Sequence, residues 1–431
     1  MSKEKNRKNF SKYVSQNILG MIGFSCYVLA DSYFISIAKG ADGLTALNLV
    51  MPLYSIIFSI GEMIGVGSAI RYAISKIKKD ADADDYFWNA LIWCILSSMI
   101  FVFAGIFFSA DIMRVLGADE HIVAVGNNYT KIFMCFAPMF MCNYVTNAFV
   151  RNDGAPGIAM SATLFSSLFN IVFDYVLMFP MNLGMEGAAL ATALSPIIGM
   201  GICSIHFFSK KSSVRLVVCK PSVRKLVAGC QLGISAFVGE MSSAVITLVF
   251  NFVILKLAGN VGVAAYGVVA NIAIVTTAVF NGVAQGSQPL ISSCFGRGDK
   301  DGCTQLKRMG YTTAFVLAAV MYSILFIFAG QFVAVFNSEG SEMLRLYATE
   351  GVKLYFIGIF FAGINIVGGG AFSATEDAFK AAVVSVARGF VLILGAVFVM
   401  SAFFGMTGVW LAYAVAEGIT TFIMLVMAMR V

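Results

Sequence analysis

Gly40-Ala41-Asp42-Gly43-Leu44-Thr45-Ala46-Leu47-Asn48-Leu49-Val50 returns 219 residues later as Gly259-Asn260-Val261-Gly262-Val263-Ala264-Ala265-Tyr266-Gly267-Val268-Val269. The offset preserves both glycines and sets Ala46 on Ala265 and Val50 on Val269. It also carries Gly67-Ser68 onto Gly286-Ser287. Near the end of each half, Gly184-Met185-Glu186-Gly187 matches Gly405-Met406-Thr407-Gly408. Leu190 then falls on Leu411, Ala191 on Ala412 and Ala193 on Ala414. Two blocks in the same order, each at the same place within its half, mark a duplicated unit.

Around these blocks lie twelve apolar stretches: 13–38, 44–70, 87–110, 127–150, 158–180, 186–208, 226–255, 262–293, 309–332, 346–373, 381–404 and 407–429. A bilayer crossing needs about 20 apolar residues at 1.5 Å rise each. Six spans per unit is an even number, so both units enter the membrane from one side. Parallel repeats of this kind are related by a pseudo-twofold axis along the membrane normal. The expected fold is an all-α integral membrane protein of two six-helix bundles, residues 1–213 and 214–431. The basic stretch Ser209–Lys225, punctuated by Pro221, links them.

Of the 29 Lys and Arg, all but Lys39, Arg114, Lys131, Lys256, Arg345 and Lys353 fall on the side of the N-terminus under this span assignment. That inner set includes Arg151 and, at the chain end, Arg430. The positive-inside rule then puts both termini in the cytoplasm and the protein in the plasma or inner membrane. A wrong span count would scramble the asymmetry. Composition agrees: 59% hydrophobic, 12% charged and a mean hydropathy of +0.86, against about 25% charged in a soluble domain. The net charge of +6 sits in the inner loops, where it fits anionic lipid and gives no reason to expect a nucleic-acid partner. The first apolar segment is too long for a cleaved leader and is expected to be retained.

Nine Cys are scattered through apolar stretches without a CxxC pair, and the two His, His121 and His206, form no ligand cluster; reduced packing residues are the expectation. There is no phosphate-binding Gly-rich loop, and Gly296–Gly302 reads as a turn. No loop is long enough for a catalytic domain, and no nucleophile–base spacing points to an enzyme. Transport would therefore run on an ion gradient, with no cofactor. Pro52, Pro138, Pro196, Pro289 and Gly368-Gly369-Gly370 lie inside spans, as hinges or as fixed kinks.

Carboxylates inside spans cost about 2.5–3.5 kcal/mol each on insertion scales and mark pathways or relays. Asp31 lies eight residues before Lys39, Asp174 six before Pro180, and Thr192 six after Glu186. At 1.5 Å per residue, each sits roughly 9–12 Å below the outer surface. Asn170 lies one turn before Asp174 on the same face. Two carboxylates, an amide and a hydroxyl at one level suit Na⁺. They equally suit a proton shared by two carboxylates in low dielectric. Alternatively, they are polar glue between three helices. Glu240, mid-span, is a second cation site or a substrate counter-ion; Glu62 and Glu417 share these roles with interhelical bonding. Arg388 is read as the only basic residue deep within a span. It either snorkels to the surface or pairs with Glu417 or Glu376. Thirty-nine Phe, fifteen Tyr and twenty-three Met supply an adaptable lining wherever they face inward.

These residues together resemble the multidrug and toxic compound extrusion (MATE) transporters. The matching features are Ala30-Asp31-Ser32, Asn170-Ile-Val-Phe-Asp174, Gly187-Ala-Ala-Leu-Ala-Thr192, Leu232-Gly-Ile-Ser235 with Glu240, and Val283-Ala-Gln-Gly-Ser-Gln-Pro-Leu290. The resemblance covers nearly the whole chain. It implies two six-helix lobes in a V and export of organic cations in exchange for H⁺ or Na⁺. It places Asp31, Asn170, Asp174 and Thr192 at the N-lobe cation site of one branch of the family, and Glu240 at the C-lobe cation position of another. Some members of that second branch also use an Asp in helix 10, where this chain has only Asn365.

The expected function is a cation-coupled antiporter, monomeric, exporting amphipathic and mostly cationic compounds by alternating access. Small organic cations and membrane lipid are its expected partners, and no metal is expected beyond a possible Na⁺ at the four-residue cluster. A flippase for a lipid-linked saccharide is the alternative, though its pyrophosphate cargo calls for a cavity rich in Arg and Lys. A membrane assembly protein without transport is a third reading.

Overall fold

A computed structural model describes residues 3–336 and 340–429. Arg430 lies outside the described residues, as do positions 1–2, 337–339 and 431. Among the described residues the chain is helical with no strand. The helices are α1 Lys3–Gly40, α2 Asp42–Lys78, α3 Asp85–Val115, α4 Glu120–Asn152, α5 Pro156–Met178 and α6 Gly184–Phe207. In the second repeat they are α7 223–259, α8 260–296, α9 Lys300–Ile327 continued by Ala329–Phe336, α10 Glu342–Ala374, α11 378–404 and α12 406–429.

Nine continuous helices are long and apolar enough to cross a membrane, and a tenth span is the bent pair of α4. Dividing 223–296 at Gly259 and 378–428 at Gly405 brings the count to twelve. Starts are set by side-chain caps: Asp119 accepts from Ile122 N at 2.8 Å and Asp299 from Gly302 N at 2.8 Å, each satisfying an orphan amide. Among the interior prolines, Pro138 accompanies a break. Its missing N–H falls where α4 bends by 46° between Cys135 and Ala137.

The duplication read from sequence recurs in the backbone. Left-handed torsions pair across the repeats: Gly40 with Gly259 (φ 58° and 62°), Lys79 with Gly298 (61° and 70°), Gly154 with Glu376 (89° and 60°) and Gly184 with Gly405 (50° and 56°).

The apolar core falls into two main clusters. One is built mostly from α2, α3, α4 and α6, the other from α7 to α12. Each borrows from the opposite repeat. Phe10 and Val14 of α1 are buried in the second cluster, and Leu232 of α7 in the first. This explains why α1 runs ten residues further than the apolar stretch predicts. Residues 3–12 are basic in sequence, but Asn6 and Phe10 on one face are buried, and Asn6 bonds Gln305 of α9 at 3.2 Å.

The crossings that allow this are glycine contacts. A Cβ on Gly286 would sit 2.7 Å from Val14 Cα, and one on Gly67 would run into the backbone of Gly229 and Gly233. Gly67 and Gly286 are the paired glycines of the repeat, so one close approach is made twice.

Candidate functional site: a cavity between the repeats

A cavity of about 380 Å³ lies between the repeats, within the usual range for small-molecule sites. Its walls include Asp31, Tyr54 and Glu62 from the first repeat and Glu240, Asn365 and Arg388 from the second. Tyr266, Tyr355 and Tyr413 line the second-repeat wall. The Tyr355 and Tyr413 rings stack at 4.4 Å with planes 4° apart. Such faces attract organic cations.

Behind the first-repeat wall the predicted polar level is assembled. Asn170, Asp174 and Thr192 are all buried, from α5 and α6. In the orientation that satisfies its neighbours, the Asn170 amide donates to Asp174 Oδ2 at 3.1 Å and accepts from Thr192 Oγ1 at 3.2 Å and Thr192 N at 3.3 Å. Asp31 is 6% exposed and reaches the cavity, while Asp174 is fully buried. Their charges act on one another. Asp31 Oδ1 and Asp174 Oδ1 are buried without a hydrogen-bond partner among the described residues. A pair of orphaned carboxylate oxygens is costly unless a cation or a proton completes it. The donor set of two carboxylates, an amide and a hydroxyl fits either.

Three tyrosines that sequence reading did not single out surround this level. Tyr27 stands one turn before Asp31 on α1, within reach of the charges of Asp31, Asp174 and Glu240. Tyr54 of α2 bonds Tyr129 of α4 through their hydroxyls, and the Tyr54 ring stacks on Phe133 at 3.6 Å. Nothing in their spacing marks them; only the folded packing does.

Glu62 and Glu240 face the lower part of the cavity, close enough for their charges to interact. Gln285 of α8 bridges the repeats here. Its Nε2 donates to Glu62 Oε1 at 3.2 Å, and its Oε1 accepts from Arg151 Nη1 at 2.6 Å. Arg151 is 4% exposed. This corrects the reading of Arg388 as the one deep cation. Arg151 closes α4 in the sequence, but the bent helix carries it under α1 and α8.

Arg388 itself pairs with Glu417, through Nη2 at 2.7 Å and Nε at 3.0 Å to Oε1. Neither snorkelling nor pairing with Glu376 describes it. Glu417 Oε2 accepts from Asn365 Nδ2 at 2.7 Å, and Asn365 Oδ1 accepts from Thr421 at 3.0 Å. A π-turn at Ala387–Val391 turns Arg388 toward α12. The charge of Glu417 is thus matched within its own repeat, which separates it from Glu62 and Glu240.

The MatE family profile matches residues 17–176 and 236–399 of this chain. Multidrug export protein MepA of Staphylococcus aureus (strain MRSA252) is 27% identical over 414 residues, covering 93% of this chain and 89% of that protein. Among solved structures, the fold is similar to one described as the outward-facing conformation of a multidrug resistance MATE family transporter of the MOP superfamily. The TM-score is 0.89 at 20% identity, over 99% of this chain and 96% of that one. It is also similar, with a TM-score of 0.91 at 20% identity and the same coverage, to a MOP superfamily transporter from Pyrococcus furiosus Vc1 (DSM3638). The reverse polarity of that protein's binding pocket is described as suggesting a different function.

Proposed function

This chain belongs to the MatE family, and on that premise we propose that it is a multidrug exporter: an antiporter of amphipathic organic cations driven by H⁺ or Na⁺. The observation that carries the reading is the pair of orphaned buried oxygens on Asp31 and Asp174, one carboxylate at the cavity wall and one behind it. An ion or proton entering this pair changes the charge presented to the cavity. Coupling follows if substrate prefers the ion-free form, since a ligand with equal affinity for both forms shifts nothing. The tyrosine-lined opposite wall and the carboxylates Glu62 and Glu240 supply the attraction for a cationic amphiphile. The name of the S. aureus relative supports the same cargo class.

In this reading residues 1–213 and 214–431 are the two lobes that rock around the cavity, in one monomer. The termini face the cytoplasm, and the protein resides in the cell membrane. Membrane lipid is its only standing partner, and it works without an enzymatic step.

A lipid-linked saccharide would require cations to hold its pyrophosphate. Arg388 is matched by Glu417, and Arg151 is held by Gln285 with Glu62 nearby, so the cavity keeps unmatched charge of the wrong sign for that cargo.

The test is export of a fluorescent organic cation from cells carrying the wild-type chain or Asp31→Asn, with the proton and Na⁺ gradients collapsed separately. Export that stops with one gradient and is absent in Asp31→Asn supports antiport and names the ion. Normal export by Asp31→Asn would reduce the cluster to helix packing.

A further inference from the structure

Glu376 lies between α10 and α11 with φ 60°. Among L residues this left-handed conformation is uncommon, and Asn and Asp are the usual exceptions to glycine. The matching turn of the first repeat, 222 residues earlier, is filled by Gly154 with φ 89°. One repeat makes the turn with glycine. The other makes it with a charged side chain, and something must hold that side chain there.

The carboxylate binds Arg71 Nη1 and lies 3.4 Å from Lys78 Nζ, both on α2 of the opposite repeat. Arg71 also donates Nε to Ala228 O of α7 at 3.1 Å. Arg71 is therefore fixed to the second repeat at two points. Beside it, Lys225 of α7 pairs with Asp82 at 3.2 Å and with Asp85. These cross-repeat ion pairs share one end of the molecule with the tight contacts of Gly67 and Gly286. At the opposite end, a Cβ on Gly40 or Gly259 would meet nothing within 4 Å.

We propose that Glu376 is a latch residue. It holds the repeats together at the loop end while the cavity is accessible from the other end, and Arg71 must leave it for access to switch. This rests on the alternating-access reading above. The latch suits a reversible step. Arg71 and Glu376 keep 24% and 23% side-chain exposure, and pairs screened by solvent to that degree are individually weak. The backbone torsion at Glu376 adds a bias toward release, because the turn relaxes once the carboxylate is no longer tethered.

The experiment uses the full chain with its nine cysteines replaced, spin-labelled at Asp80 and Lys300. Both are exposed and lie on opposite repeats at the latched end. Inter-label distances are measured in lipid nanodiscs. In wild type the short distance dominates. Glu376→Gln removes the charge and keeps the turn; Glu376→Gly removes the charge and relaxes the turn. Both are expected to shift weight to a longer distance, with Glu376→Gly at least as heat-stable as Glu376→Gln. Arg71→Glu alone should do the same, and Arg71→Glu with Glu376→Arg should restore the short population. An unchanged distance in both Glu376 variants overturns the latch if the wild type itself moves between two distances when substrate or gradient is changed. A wild type fixed at one distance under every condition overturns alternating access, and the latch falls with it.

Discussion

Gly40 and Gly259 break their helices with nearly the same torsions, φ 58° and ψ −142° against φ 62° and ψ −157°. This region is open essentially to glycine alone, and side chains forced into it cost about 1–3 kcal/mol. Gly40→Ala and Gly259→Ala should each lower stability by that amount although space is open around both. Gly201→Ala, equally open but inside regular α6, should be neutral or stabilising. Thermal denaturation in detergent decides. Equal behaviour of all three variants would remove torsion as the reason for these glycines.

Asn170 is the one residue joining Asp174 to Thr192. Asn170→Leu keeps volume and withdraws the amide from a fully buried carboxylate. A stability loss of about 1–3 kcal/mol is expected for the stranded group. The variant should also lose the heat stabilisation that added Na⁺, or lowered pH, gives the wild type. Retention of that ion response would place the coupling site elsewhere.

Arg388 and Glu417 form a buried pair, with side chains 17% and 3% exposed. Arg388→Met leaves Glu417 uncompensated and should cost about 3–5 kcal/mol. Adding Glu417→Leu should recover most of it, because two apolar groups pack where one stranded charge could not. A double-mutant cycle gives the coupling directly. Additive losses would mean the two charges do not depend on each other.

His121 Nε2 lies 2.9 Å from Asp42 Oδ2, tying the start of α4 to the start of α2 outside the apolar spans. The hydrogen bond and charge of Asp42 raise the imidazole above its ordinary 6.5. The raised value belongs to the folded state, so its contribution is complete below 6.5 and fades as pH climbs through the folded value. Both groups are largely exposed, so the effect on stability is small and the titration is the better readout. With only two His in the chain, ring NMR signals are assignable. Asp42→Asn should return His121 to its ordinary range, and an unmoved titration would deny the contact.

Much of this architecture was legible before folding. Periodic glycines at a fixed offset gave the repeat, and the same glycines occupy the left-handed positions. Depth counting put Asp31, Asp174 and Thr192 at one level, because helix rise is constant. What stayed hidden depended on bends and on contacts between repeats. Arg151 read as a loop residue until the 46° turn of α4 carried it inward. Tyr54 and Tyr129, 75 positions apart, carry no local signal of their bond. Glu376 was visible only as a charge near a helix end. Its torsion, and the arginine it reaches 305 positions away, exist only in three dimensions.

The exchange of first helices between cores bears on how such a chain arose and how it is made. Phe10 and Val14 complete the second core, and Leu232 the first. A single-length ancestor built this way would have been an obligate dimer, each copy lending its leading helix to its twin. In the fused chain the ribosome releases α1 long before α8 exists. The opening helix must then wait, half-dressed in lipid, for a groove that is synthesised some 270 residues later.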